Sequence, residues 1–147
     1  MDYRQAFSTS AIGMSYERAR VDIAAMNLAN ANTAQAADGT GYQPMRVVAK
    51  NVLAASSFTE LLASVNSGNS SLSPNFNLEP LGAASRLAYE PEHPMANERG
   101  FVSYPGVDTA TETVTMMSAM RAYEANVAAM NTSKNMALKA LEIGGGN

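Results

Sequence analysis

Residues 109–142 read TATETVTMMSAMRAYEANVAAMNTSKNMALKALE, without a single proline or glycine. Within this stretch Met116, Met120, Tyr123, Val127, Met130, Lys134, Ala137 and Leu141 follow one another at alternating spacings of four and three. That spacing predicts one apolar stripe on a helix, with a heptad repeat and one charged member, Lys134. A second stripe runs beside it through Val107, Ala110, Val114, Met117, Arg121, Ala128 and Leu138. Thr109 and Glu112 have the spacing of a capping box at the start, with Asp108 as a rival cap. Gly144-Gly145-Gly146 marks the stop, because glycine takes the left-handed conformation that ends helices. A helix of this length extends roughly 50 Å, far beyond the usual 11–12 residues.

Residues 2–31 repeat the pattern. Phe7, Ala11, Met14, Arg18, Val21, Ala25 and Leu28 form one stripe, and Ile12, Tyr16, Ala19, Ile23 and Met26 a second. Gly13 is the one breaker, at a cost of about 1 kcal/mol. Two stripes per helix demand cover on more than one side, and the many alanines allow close approach of a neighbour. A small helical bundle satisfies the stripes equally well. A single seam does not return the ordering entropy of so long a helix. The two terminal helices are therefore expected to be loose in the isolated chain and ordered on assembly. A circular dichroism spectrum showing both fully formed in dilute monomer contradicts this.

Between the helices the chain turns to Gly, Pro, Ser and Asn. Tyr42–Ala49 partly alternates behind the turn Asp38-Gly39-Thr40-Gly41, which predicts a strand. Residues 54–65 carry a short helical pattern (Phe58, Leu61, Leu62, Val65), and 66–75 read as a loop. Further strands are expected within 76–90 and at 100–104, held to edges and turns by prolines 91, 94 and 105. The fold class that follows is mainly α with a small β region. Long N- and C-terminal helices (1–33 and 108–143) pack as a coiled-coil-like pair, and a small β-rich, irregular middle domain occupies 34–107.

The composition narrows the function classes. Of 147 residues, 16% are charged and 46% apolar, with a net charge of -3. A soluble domain usually carries about 25% charged residues, so part of this surface is expected to be covered by other chains. No run of Lys or Arg offers a nucleic-acid footprint. There is no cysteine for a disulfide or a thiolate metal site. No apolar run nears the roughly 20 residues of a membrane span. The first residues lack the apolar core of a cleaved secretory signal, so any export is expected to follow a route that needs none.

Candidate chemistry is sparse. The lone histidine, His93, lies in Glu90-Pro-Glu92-His93-Pro94, where a Pro-rich turn does not converge the three or four ligands a metal wants. A solvated or interface loop is the plainer reading. Gly39-Thr-Gly41 and Gly144–Gly146 lack phosphate-loop or dinucleotide spacing and read as a turn and a helix stop. No cofactor, metal or catalytic residue is expected. Arg18 and Lys134, inside apolar stripes, either fix register against an acid such as Glu17, Asp22 or Glu124 or reach past the stripe to solvent. The methionines read as adaptable core filler, suited to subunits in non-identical surroundings.

Asn27-Leu28-Ala29-Asn30-Ala31-Asn32-Thr33, followed by Gly41-Tyr42, resembles the N-terminal signature of the flagellar rod and hook family. Arg121-Ala122-Tyr123-Glu124-Ala125-Asn126 is similar to that family's C-terminal helix. Tyr89–Ala96, Gly100-Phe101-Val102, Pro105-Gly106-Val107-Asp108 and Lys134-Asn135-Met136 resemble its FlgC-type, proximal-rod branch. The resemblance covers about 5–50 and 86–144, leaving 51–85 as an apparent insertion. It implies a structural, non-enzymatic subunit exported through the flagellar type III apparatus and built into the periplasmic rod. The paired helices then line the inner tube, and the rod carries torque to the hook. It implies partners too: FlgB-, FlgF- and FlgG-type rod subunits, a FliE-type adaptor to the membrane ring, copies of itself, and the export apparatus in transit. The assembly residues it points to are Asn27, Leu28, Asn30, Thr33, Arg18, Met116, Met120, Arg121, Tyr123, Asn126, Val127, Met130, Lys134 and Leu141. Another rod or hook subunit, or a soluble coiled-coil adaptor or secretion chaperone, are the alternatives. An enzyme with its site in 51–85 has no supporting constellation.

Overall fold

The computed structural model describes residues 3–35, 41–49 and 76–144. Helix α1 runs Tyr3–Asn30 and helix α2 Thr109–Gly144. Between them lie β1 (Met45–Ala49), β2 (Phe76–Pro80), β3 (Arg86–Tyr89) and β4 (Phe101–Tyr104). The chain is thus mainly helical with a small β part, as the periodicities predict. The expected helix at 54–65, the loop at 66–75, part of the turn before Tyr42 and the last two glycines of the stop lie outside the described residues.

Two compact units divide the chain, and each draws on both helices. The first holds α1 through Arg18 and α2 from Met120 onward; the second holds the rest of α1 from Ala19, the chain up to Val47, and Leu78–Ala119.

The second unit builds its core from small and β-branched groups. Ala24, Ala31, Val102, Tyr104 and Ala119 are buried, as are Pro44 and Pro105. Strand β4 shows the period of two expected of a half-buried strand. Val102 and Tyr104 point inward while Phe101 faces out. It pairs antiparallel with β3, Arg86 opposite Tyr104 and Tyr89 opposite Phe101, and Gln35 bridges its other edge at Ser103. The connection between β3 and β4 is organised by Asn97. Its Oδ1 accepts from the amides of Arg99 at 2.9 Å and Phe101 at 3.0 Å, and Gly100 takes φ +77° beside it. In the other ladder Leu81 N donates to Pro44 O at 2.7 Å and Arg46 pairs with Glu79 at 3.4 Å. At Gly106 any Cβ would sit 2.1 Å from the carbonyl oxygen of Ala84. That is backbone against backbone, so only glycine fits.

Helix α2 is capped by Asp108, the rival of the capping box. Its Oδ1 accepts from Ala110 N at 3.1 Å, its Oδ2 from the Thr111 hydroxyl, and its carbonyl starts the helical ladder to Glu112 N. These bonds hold the Asp108 carboxyl below its ordinary value. Glu112 is released from capping and turns into the core.

In the first unit Gly13 faces Asn126 closely enough that a Cβ would meet the amide Oδ1 at 2.8 Å. Tyr16 meets Phe76 edge to face, with ring centres 6.0 Å apart. Apart from Thr113 and Val127 at its flanks, the shielded positions along α2 are Glu112, Thr115, Met116, Ala119, Ala122, Asn126, Met130, Ser133 and Ala137. This seam keeps the heptad spacing but lies to one side of the predicted stripe. Met116, Val127, Met130 and Ala137 of that stripe are at least half-buried, whereas Met120, Tyr123, Lys134 and Leu141 are exposed. The reason is steric: alanine, serine and asparagine let two backbones close up, and bulkier side chains are pushed to the flank. Periodicity alone finds the apolar side of a helix but not which of its rows meets the partner.

Candidate functional site

Asn27 is the best-anchored polar side chain of the signature, only 1% exposed. Its Nδ2 donates to Met45 O at 2.8 Å while its Oδ1 accepts from Met45 N at 3.1 Å. The amide thus pairs with one peptide group as a neighbouring strand would. Oδ1 accepts a second bond from the Tyr42 hydroxyl at 2.6 Å, and the amide also bonds the Glu112 carboxyl. With two donors and two acceptor positions, Asn27 ties the end of α1 to β1, to the Gly41-Tyr42 turn and to the first turn of α2. Asn27, which the resemblance marks as an assembly residue, is thus a clamp between elements of its own chain.

Gln35 does a similar job nearby and has no signal in the sequence, because its partners are scattered along the chain. Its Nε2 donates to Tyr42 O at 2.8 Å, and its Oε1 accepts from the hydroxyls of Ser85 and Ser103 at 3.3 and 3.2 Å. Gly41 lets the turn pass, since a Cβ there would lie 2.5 Å from Gln35 Cγ. Arg86 reaches Asn32 Oδ1 at 3.3 Å and lies over the Tyr104 ring at 5.2 Å; the Tyr104 hydroxyl donates to Glu90 at 3.0 Å.

Burial raises the Glu112 carboxyl above its ordinary 4.5, opposed by the Asn27 bond and assisted by Asp108. Tyr42 is raised as well, by burial and then by Glu112. The folded chain therefore holds the Glu112 proton more tightly than the unfolded chain. Stability falls as pH rises from about the unfolded value through the higher folded one, and levels off beyond it. Asp108 acts in the opposite sense, losing its contribution as pH falls below its ordinary 3.8. In Glu112→Gln the amide still accepts from Asn27, so the decline above pH 4.5 should flatten and stability at pH 7 should equal or exceed that of the parent. Urea denaturation at pH 5 and pH 8 measures it; an unchanged pH slope would contradict this assignment.

The other predicted assembly residues fall into three settings. Asn30 bonds back to Met26 O at 2.9 Å and receives the Thr33 hydroxyl at 3.4 Å, closing the end of α1, while Leu28 is half-buried beside them. Asn126 bonds to Ala122 O at 3.0 Å and faces Gly13. Arg18, Arg121 and Lys134 are exposed. Met116, Val127 and Met130 are at least half-buried, whereas the other large apolar side chains of α2 stand in solvent. Val114, Met117, Met120, Tyr123, Met136 and Leu138 are between roughly a third and two thirds exposed, Leu141 71% and Ile143 84%.

The Glu90–Pro94 turn gathers no ligand set. His93 Nδ1 accepts from Met95 N at 3.1 Å, and Glu90 is engaged by Tyr104. No cluster of three metal-binding side chains occurs among the described residues. No described helix is long and apolar enough to cross a membrane.

Residues 98–143 match the family described as flagellar basal body rod FlgEFG protein C-terminal. Over nearly its whole length the chain is similar to curated proteins named flagellar basal-body rod protein FlgC. The Bacillus subtilis (strain 168) protein is 35% identical over 144 residues, covering 95% of this chain and 96% of that protein. The Salmonella typhimurium protein is 36% identical over 140 residues, covering 94% and 95%. That of Escherichia coli O157:H7 is 34% identical over 138 residues, again covering 94% and 95%.

Proposed function

The chain belongs to the family of flagellar basal-body rod proteins of the FlgC type, and from that premise we propose how this structural subunit of the rod assembles. As a family member it resides in the basal body and associates with other rod components. In the proposed reading its place is the proximal, periplasmic part of the rod. The paired ends, residues 1–33 and 108–143, form the tube wall around the export channel, and 34–107 lie outside them. Copies of the chain and FlgB-, FlgF- and FlgG-type subunits cover the open faces of α2, and a FliE-type adaptor joins the assembly to the membrane ring. The helices become fully ordered as they are covered, and the finished shaft carries torque. No catalysis is assigned to the chain.

The observation that carries this reading is the number of large apolar side chains left uncovered along α2 between Val114 and Ile143. Uncovered apolar groups in such number suit a subunit that completes its burial in an assembly. A density map of purified basal bodies is the test. It should place this chain in the rod wall with α2 against neighbouring subunits. A rod wall lacking the chain, or α2 facing solvent there, would refute the proposal.

A further inference from the structure

The chain has ten methionines and neither cysteine nor tryptophan. Its reactivity toward peroxides and related two-electron oxidants is therefore that of thioethers. The fold sorts these thioethers sharply. Met26, Met95, Met117, Met120 and Met136 are exposed, four of them to about half of their surface. Met14, Met45, Met116 and Met130 are partly shielded. Three of the exposed set, Met117, Met120 and Met136, lie on α2 among its uncovered apolar side chains.

We propose that Met117, Met120 and Met136 are oxidative modification sites that govern whether the chain is accepted into an assembly. The inference rests on the assembly reading above. Hydrogen peroxide transfers one oxygen atom to the sulfur lone pair. The thioether is oxidised by two electrons to the sulfoxide, the peroxide O–O bond breaks, and water leaves. No other co-reactant is needed. The product is longer, chiral and a strong hydrogen-bond acceptor. In free chain the new oxygen is solvated and costs little. Under a neighbouring subunit the same oxygen is buried against apolar groups without a donor. Oxidation before assembly therefore withholds the chain, and methionine sulfoxide reductases, one per epimer, restore it. Assembly in turn shelters the sulfurs, so a finished rod resists what a free subunit does not.

The test uses cells lacking those reductases, with rod assembly held back by withholding another rod component. A hydrogen peroxide pulse is quenched with catalase, the missing component is induced, and peptides from basal bodies and from unincorporated chain are compared by mass spectrometry. Sulfoxide at positions 117, 120 and 136 should be roughly tenfold depleted in the incorporated pool, the factor expected of an unpaired acceptor in an apolar contact. In the unincorporated pool these positions should be oxidised ahead of Met45. A variant with Met117→Leu, Met120→Leu and Met136→Leu should be recovered in basal bodies in the same proportion with or without the pulse. Equal sulfoxide in both pools, or oxidation of Met45 as early as the other three, would overturn the proposal. Absence of the chain from untreated basal bodies would instead sink the rod reading itself.

Discussion

Asn27→Asp should destabilise the second unit by about 3–5 kcal/mol at neutral pH, the range seen when a buried polar pairing is replaced by an uncompensated charge. Asn27 donates to Met45 O and to Glu112 while accepting from Tyr42 and Met45 N. Aspartate keeps both accepted bonds and loses both donated ones. It leaves Met45 O facing a carboxylate and sets that carboxylate against Glu112, already raised by burial. Two such groups cannot both ionise cheaply, so one proton is held between them. The pair's folded pKa then lies above the unfolded values. The deficit should shrink as pH falls toward 5 and grow as pH rises through the folded value. Adding Glu112→Gln supplies a donor and removes one charge, so the double variant should regain part of the loss. Urea titrations at pH 5 and pH 8 on the three variants measure it; a pH-independent loss would show that Asn27 and Glu112 are not coupled.

That cluster shows how far the sequence is legible. The long helices announce themselves because a period near 3.6 without breakers has few alternative readings. The strand at Phe101–Tyr104 is marked by Gly100 and Pro105 on either side. The Asn27 signature is readable as important through its resemblance to a family, but its task is not, since Tyr42, Met45 and Glu112 are brought to it only by the fold. Glu112 misleads in isolation. Its spacing from Thr109 suits a capping box, and only the capture of the helix start by Asp108 frees it for the core. The seam of α2 is legible in period and not in phase. The sequence marks large apolar side chains, whereas Ala119, Ala122 and Asn126 decide where another helix comes close.

That displacement of the seam gives the strongest functional prediction. Met120→Asp or Leu141→Asp should leave the isolated chain almost unaltered and remove rod assembly. Met120 is 49% and Leu141 71% exposed, so the new carboxylate is solvated in the free chain, and the change there amounts to roughly 0.5 kcal/mol of helix propensity. Covered by a neighbouring subunit, the same carboxylate loses its water without gaining a partner. That costs at least about 3 kcal/mol per contact, or more than a hundredfold in affinity. A repeated interface multiplies the effect, because every subunit added to the rod carries the same defect. Met120→Leu keeps the apolar surface and the helix propensity and should keep motility. Circular dichroism of the purified chains, basal-body yield and spreading in soft agar separate the outcomes. A Met120→Asp chain with parental spectrum and normal rods would show that this position of α2 meets no neighbour. Loss of the spectrum together with the rods would show that the side chain is needed within the chain, contrary to its exposure. Only an unchanged spectrum with absent rods fits side chains placed for a partner, which is what a close seam of small residues flanked by large exposed ones would achieve.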